Sequence, residues 1–224
     1  MISPGEKVLV VAAHPDDEVL GVGGTIAKAS SLGIKVSVLF MSTGVNSRDS
    51  LRESEDSRIE SAKKALKILN VDNFIFGDFP DNAFDSIKLL DLCKFIENYI
   101  QLIDPTIVFT HFYNDLNIDH RLTSEATQVA VRPKVVSNVK ALLFYEVLSS
   151  TNWLFGKKFF SPSLHIDISQ TYNLKQLALK AYEAEMDSSP NARSILSSKV
   201  LSESRGHHMG YSFAESFEIG FLKY

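Results

Sequence analysis

Two short stretches hold most of the residues able to do metal and acid–base chemistry. The first reads Ala13-His14-Pro15-Asp16-Asp17-Glu18. The second reads His111-Phe112-Tyr113-Asn114-Asp115-Leu116-Asn117-Ile118-Asp119-His120. A catalytic zinc takes three protein ligands from imidazole and carboxylate and keeps a fourth position for water. His14, Asp17 and His120 can supply such a set. The neighbouring Asp16 is then left to take a proton from water whose pKa the metal lowers to about 7. One His-x-x-Asp alone says little, because acids that follow a strand often cap the next helix. The pairing of two such clusters is what points to a metal.

The elements that must position these clusters follow from hydrophobic periodicity. Lys7–Ala13, Lys35–Met41, Asn73–Gly77, Thr106–Thr110 and Ala141–Val147 are short apolar runs, the pattern of strands buried on both faces. Helices are expected between them, over Gly21–Leu32, Leu51–Leu69, Ser86–Ile103 and Asp119–Val131. After Ser149 the pattern loosens. An edge strand is expected at Leu164–Ile168, helices at Leu174–Met186 and Ala192–Ser204, and a last strand or extended tail at Ser212–Ile219. Alternation of this kind predicts an α/β, Rossmann-like three-layer sandwich with a mostly parallel sheet. Residues 1–224 read as one domain, with 149–224 as a cap and C-terminal segment. In the common doubly wound order 3-2-1-4-5, strands 1 and 4 are neighbours, and ligands bind at their carboxyl ends. The two clusters follow those two strands.

Composition narrows the function classes. The 224 residues are 45% hydrophobic and 22% charged, with a net charge of −4, which excludes a disordered chain and lacks the basic footprint of a nucleic-acid binder. The one cysteine, Cys93, forbids an internal disulfide and a multi-thiolate zinc site, so any metal must be held by nitrogen and oxygen. Its place on the apolar stripe of the third helix makes it a core residue. The run Val8–Ala13 is too short for a signal-peptide core, and no run reaches the roughly 18–20 apolar residues of a membrane span. A cytoplasmic protein without a transmembrane segment is the expectation. Gly21-Val22-Gly23-Gly24 bears a faint likeness to a dinucleotide loop, but the acidic cluster before it would repel a pyrophosphate.

The chain resembles the LmbE/PIG-L-like family of zinc-dependent N-deacetylases. The likeness rests on Ala13-His14-Pro15-Asp16-Asp17-Glu18 after an N-terminal apolar strand, on His111, Asn114-Asp115 and Asp119-His120, and on Arg121. Arg205-Gly206, Gly210-Tyr211 and Ala214-Glu215-Ser216-Phe217 resemble the family's closing segment, so the match spans most of the chain. The resemblance implies that His14, Asp17 and His120 bind one Zn2+ and that Asp16 is the general base. Fe2+, Co2+ and Mn2+ accept the same donors. It implies a substrate-binding role for Arg58 and a contact of Asp81 with sugar hydroxyls. The substrate class it implies is an N-acetylated amino sugar, a glucosamine-type unit that is free or part of a glycoconjugate.

One position departs from the family. The histidine often found three residues before the last zinc ligand is Asn117 here. An amide can donate a hydrogen bond to an oxyanion but cannot carry a proton. Asp16 then acts as base and acid, or His111, His207 or His208 supplies the proton, with His111 also a candidate substrate contact. Asp119 either orients a ligand or caps the following helix. His165 is a bystander. Ser42–Ser50, Trp153–Phe160 and Gly206–Tyr211 are the expected pocket rims. Alternative readings are a metal-dependent phosphoesterase, often with two metals roughly 3.5–4 Å apart, and a non-catalytic sugar-binding relative. A homo-oligomer is compatible with either.

Overall fold

The computed structural model describes residues 3–44, 55–133, 137–153, 155 and 158–223. A seven-stranded sheet runs in the order β3-β2-β1-β4-β5-β7-β6. Strands β1 (Lys7–Ala12), β2 (Lys35–Phe40), β3 (Asn73–Phe76), β4 (Ile107–His111) and β5 (Ala141–Tyr145) are parallel. The last two in chain order, β6 (Leu164–Asp167) and β7 (Ala214–Leu222), close the sheet antiparallel, with β7 between β5 and β6. The expected order 3-2-1-4-5 is therefore present.

The unbroken apolar character of β1 has a direct cause. Val8, Val10 and Ala12 point into one core, and Leu9, Val11 and Ala13 into the other, because successive strand side chains alternate between faces. The first core is closed by α1 (Asp17–Ser31), α2 (Glu55–Ile68) and α5 (Tyr172–Ala181). The second is closed by α3 (Leu89–Ile103) and α4 (Ile118–Val131). On α3 the buried stripe is Leu92, Cys93 and Ile96. Full burial of a Leu or Ile side chain is worth about 1.5–3 kcal/mol. Cys93 is the expected core residue, buried and in no disulfide.

The segment from residue 149 onward adds β6 and β7 to the sheet, lays α5 on α1 and α2, and packs α6 (Ile195–His207) against β7. Among the described residues no helix is long and apolar enough to cross a membrane.

Two boundaries differ from expectation in an instructive way. Helix α1 begins at Asp17 and not at Gly21, with Asp17 and Glu18 in its first turn, where carboxylates complement the positive end of the helix dipole. The glycines lie inside it for packing. A Cβ on Gly21 would sit 2.2 Å from the Tyr145 ring, and one on Gly24 would sit 2.5 Å from Ile168. Helix α3 begins at Leu89, preceded by a single 3-10 turn at Phe84–Ser86. The helix expected from Leu51 is described from Glu55, its earlier residues lying outside the described ones.

Candidate active site

The loops after β1 and β4 meet at the carboxyl edge of the sheet, where the strand order turns. His14, Asp17 and His120 each bring one ligand atom into a group spanning no more than 4.8 Å, and all three are buried. Asp17 Oδ2 is 3.4 Å from His14 Nδ1 and 3.4 Å from His120 Nε2. It also accepts the His14 backbone N–H at 3.0 Å, which ties the loop to the first helical turn.

The other nitrogen of each imidazole faces a carboxylate. His14 Nε2 lies 2.9 Å from Asp119 Oδ2 and 3.1 Å from Asp81 Oδ1. His120 Nδ1 lies 3.3 Å from Asp115 Oδ1. Such partners fix the tautomer that turns the remaining lone pair toward a metal. The nitrogen and oxygen donor set, its convergence and these two carboxylate–imidazole pairs fit one divalent ion held by His14, Asp17 and His120. A second cluster of His14, Asp81 and Asp119 has atoms equally close together. There, however, Asp119 already accepts the backbone N–H groups of Asn82 at 2.6 Å and Phe84 at 3.0 Å. Asp119 is thus a hub that holds His14 against the 82–84 loop.

Charge follows this geometry. Burial disfavours the charged form of His14, yet bonds to Asp119, Asp17 and Asp81 hold its pKa well above the ordinary value. Burial likewise opposes His120, yet Asp17 and Asp115 push it up to about 9. Burial would raise Asp17, but His120 and His111 hold it well below the usual carboxylate range. The cluster is a concentrated negative field awaiting positive charge, either protons or a metal.

Asp16 stands beside this cluster, completely buried, in the left-handed region at φ 107°. A non-glycine residue there is strained, and such strain gathers at functional positions. Its Oδ2 pairs closely with Arg193 Nη2 and lies 3.7 Å from Arg58 Nη2, while Oδ1 has no hydrogen-bond partner. Burial raises the Asp16 pKa, opposed by Arg193 and Arg58. Arg58 is itself enclosed. It donates to the Pro15 carbonyl at 2.9 Å and pairs with Glu185, so its guanidinium faces inward to the Asp16 loop.

Asn117 is the N-cap of α4, its Oδ1 accepting the Asp119 N–H at 2.8 Å. Its Nδ2 is 3.5 Å from Asn82 Oδ1. His111 is fully buried. Its Nε2 accepts the Ala13 N–H at 2.9 Å, its ring stacks on His120 at 3.9 Å, and burial together with the His120 charge holds its pKa well below the ordinary value. It is closed to solvent beneath the His120 ring. His207 and His208 end α6, exposed, with His208 Nδ1 2.8 Å from the Ser204 carbonyl. His165 sits on β6 against Ser216. Trp153 and Phe155, in one of the expected rims, are exposed, and the Ser42–Ser50 segment expected at another is described only to Gly44.

Sequence reasoning assigned no individual role to four participants. Asp115 is buried and bonded to Ser150, Thr151 and the Asn117 N–H as well as facing His120. Arg193 and Glu185 come from the loosely patterned C-terminal region, where no periodicity marks them. Glu18 is buried, accepting the Tyr182 hydroxyl at 2.7 Å and the Asp16 N–H at 2.9 Å, and burial pushes its pKa up to about 8. For Asp115 a signal existed: a second acid within the His111–His120 cluster.

A doubly wound sheet with a buried His/Asp cluster at its switch point defines a class of site, one whose nitrogen and oxygen donors could hold a metal ion beside a further buried carboxylate. Residues 9–131 match the family model described as PIG-L, GlcNAc-PI de-N-acetylase, and the chain belongs to that family. It is 29% identical over 183 residues to the uncharacterized deacetylase YaiS of Escherichia coli K12, covering 79% of this chain and 90% of that protein. It is 28% identical over 192 residues to the diacetylchitobiose deacetylase of Thermococcus kodakarensis, covering 80% and 70%. Among solved structures, the conserved protein TT1542 of Thermus thermophilus superposes with a TM-score of 0.79 at 23% identity, covering 98% of this chain and 96% of that one. GalB, a 4-carboxy-2-hydroxymuconate hydratase from a Pseudomonas, gives 0.78 at 20% identity, covering 97% and 98%. The same fold therefore carries a different named reaction, and function has to be argued from the site.

Proposed function

We propose that this protein is a metal-dependent hydrolase that removes the N-acetyl group from an N-acetylated amino sugar, a glucosamine-type unit that is free or part of a glycoconjugate. The observation that carries the reading is the convergence of His14, Asp17 and His120 beside a buried Asp16 whose Oδ1 has no partner. Family membership and the named activity of the Thermococcus relative support the substrate class. One Zn2+ per chain suits the donor set, and Fe2+, Co2+ or Mn2+ would be accepted by the same ligands. When bound, the ion supplies Lewis acidity and a water that is nucleophilic at neutral pH.

The chain's own residues do the rest. Asp16 Oδ1 takes a proton as water attacks the acetamide carbonyl carbon. Asn117 Nδ2 donates to the carbonyl oxygen as it gains negative charge, an interaction that strengthens in the transition state. Asp16 then returns the proton to the leaving amine, because His111 is enclosed and bonded to backbone while His207 and His208 lie at an exposed helix end. Asp81, whose Oδ1 lies 3.1 Å from His14 Nε2, takes the contact with a sugar hydroxyl that the family resemblance implies. A two-metal phosphoesterase finds little support, since the second cluster shares His14 and Asp119 is occupied by backbone donors.

The test combines metal analysis with amine release from N-acetylglucosamine and N,N′-diacetylchitobiose. Asp16→Asn should retain the metal and lose about 10²–10⁴-fold in turnover, the usual range for a general base. Absence of bound metal after zinc loading, or full turnover in Asp16→Asn, would sink the reading.

A further inference from the structure

The region outside residues 9–131 contributes a charged side chain to the heart of the site. Arg193 Nη2 forms a close ion pair with Asp16 Oδ2. Its Nε donates to the Glu185 carbonyl at 3.1 Å and its Nη1 to Ser149 Oγ at 3.3 Å. Each of the three guanidinium nitrogens therefore has a partner, and together they set its direction. Glu185, whose backbone holds Arg193, pairs through its side chain with Arg58, and Arg58 in turn donates to Pro15 and lies 3.7 Å from the same Asp16 oxygen. Ser149 is next to Ser150, which touches both Asp115 and His120 Nδ1. One arginine thus joins the Asp16 loop, the 149–151 loop and the turn after α5.

We infer that Arg193 is a positioning residue. It holds Asp16 Oδ2 so that Oδ1 is the oxygen presented for proton transfer. The strained backbone of Asp16 supports this, because a residue at φ 107° keeps its orientation only where its surroundings over-determine it. A planar fork does what an ammonium cannot, since two or three fixed N–H bonds set direction as well as charge.

The inference rests on the assignment of Asp16 as the base. The test uses zinc-loaded full-length protein with N,N′-diacetylchitobiose as the probe. Arg193→Ala should lose about a hundredfold in kcat, the cost of misplacing a catalytic group by about 1 Å, with KM within threefold and zinc content unchanged. Added guanidinium at low millimolar concentration should restore part of the loss. Arg193→Lys, which keeps the charge and guards against a folding failure of the alanine variant, should recover less than half of the wild-type kcat. A raised KM with unchanged kcat would make Arg193 a substrate contact and overturn the inference, as would unchanged kinetics in both variants. A readout independent of turnover is the crystal structure of Arg193→Ala: the Asp16 carboxylate is expected to rotate, and an unrotated carboxylate overturns the inference. Full turnover in Asp16→Asn would instead overturn the base assignment, so the two failures are told apart.

Discussion

Asp115 Oδ1 lies 3.3 Å from His120 Nδ1, on the side of the imidazole opposite the Asp17 carboxylate. The carboxylate sets which nitrogen of His120 carries the proton and leaves Nε2 as the donor atom. Asp115→Asn should therefore weaken zinc binding by about 10–100-fold, the usual cost of losing such a partner. Chelator-competition titration measures this directly, and equal affinities for variant and wild type would remove Asp115 from the metal site.

On the proposed reading, protons and metal compete for the His120 imidazole. The neighbouring carboxylates of Asp17 and Asp115 outweigh burial and bring His120 up to about 9 in the folded protein, against about 6.5 when unfolded. In metal-free protein the stability from protonated His120 is fully present below about pH 6.5 and is lost as pH rises toward 9. Metal binding requires the neutral ring, so affinity should climb by up to about tenfold per pH unit over the same window. Titrations at pH 6.5, 7.5 and 8.5, paired with denaturant melts of the metal-free protein, should show opposite trends. A flat affinity profile would contradict the assignment.

Asn117 combines a cap with a donor, and two substitutions separate them. Its Oδ1 accepts the Asp119 N–H, a bond that Asp can replace and Ala cannot. Asn117→Ala should cost about 1 kcal/mol of stability, while Asn117→Asp should leave stability nearly unchanged. Both lose the Nδ2 donor, and both should lower kcat by about a hundredfold if it serves an oxyanion. Wild-type turnover in Asn117→Ala would confine the residue to capping.

Gly21 tests the packing origin of the glycine-rich run. Tyr145 donates from its hydroxyl to the Val11 carbonyl at 3.1 Å and packs on His111 with ring centroids 4.7 Å apart. A methyl group at residue 21 would meet its ring at 2.2 Å. Gly21→Ala should destabilise the fold by about 1–3 kcal/mol through overpacking, read by urea denaturation. An unchanged midpoint would show that α1 and Tyr145 separate freely.

Burial also makes Glu18 a stability probe. Its pKa rises from an ordinary carboxylate value to about 8, so between about pH 4.5 and 8 the unfolded chain ionises while the folded one keeps its proton. Wild-type stability should fall relative to Glu18→Gln across that window, by at most about 1.4 kcal/mol per pH unit. A constant difference between the two proteins would place an ionised carboxylate there.

The sequence by itself determined the order of the five parallel strands and the meeting of two His/Asp clusters, but not the place of β7 between β5 and β6. All of these depend on local patterns: apolar runs such as Lys7–Ala12 and Ile107–His111, and the general rule that ligands gather where strand order turns. It also named His14, Asp17 and His120, because their types are rare and their clusters dense. Only the tertiary structure decided what each second nitrogen touches. Asp119 is sequence neighbour to His120 yet serves His14, since the first turn of α4 points it at the other loop. Arg58 is marked in the sequence only as a residue for substrate, and nothing local announces that its guanidinium turns to Asp16 and Glu185. Arg193 carries no local signal at all, because the charge that explains it lies 177 residues away in the chain. Periodicity reports which face of an element is buried; which charge meets which is settled only when the elements pack.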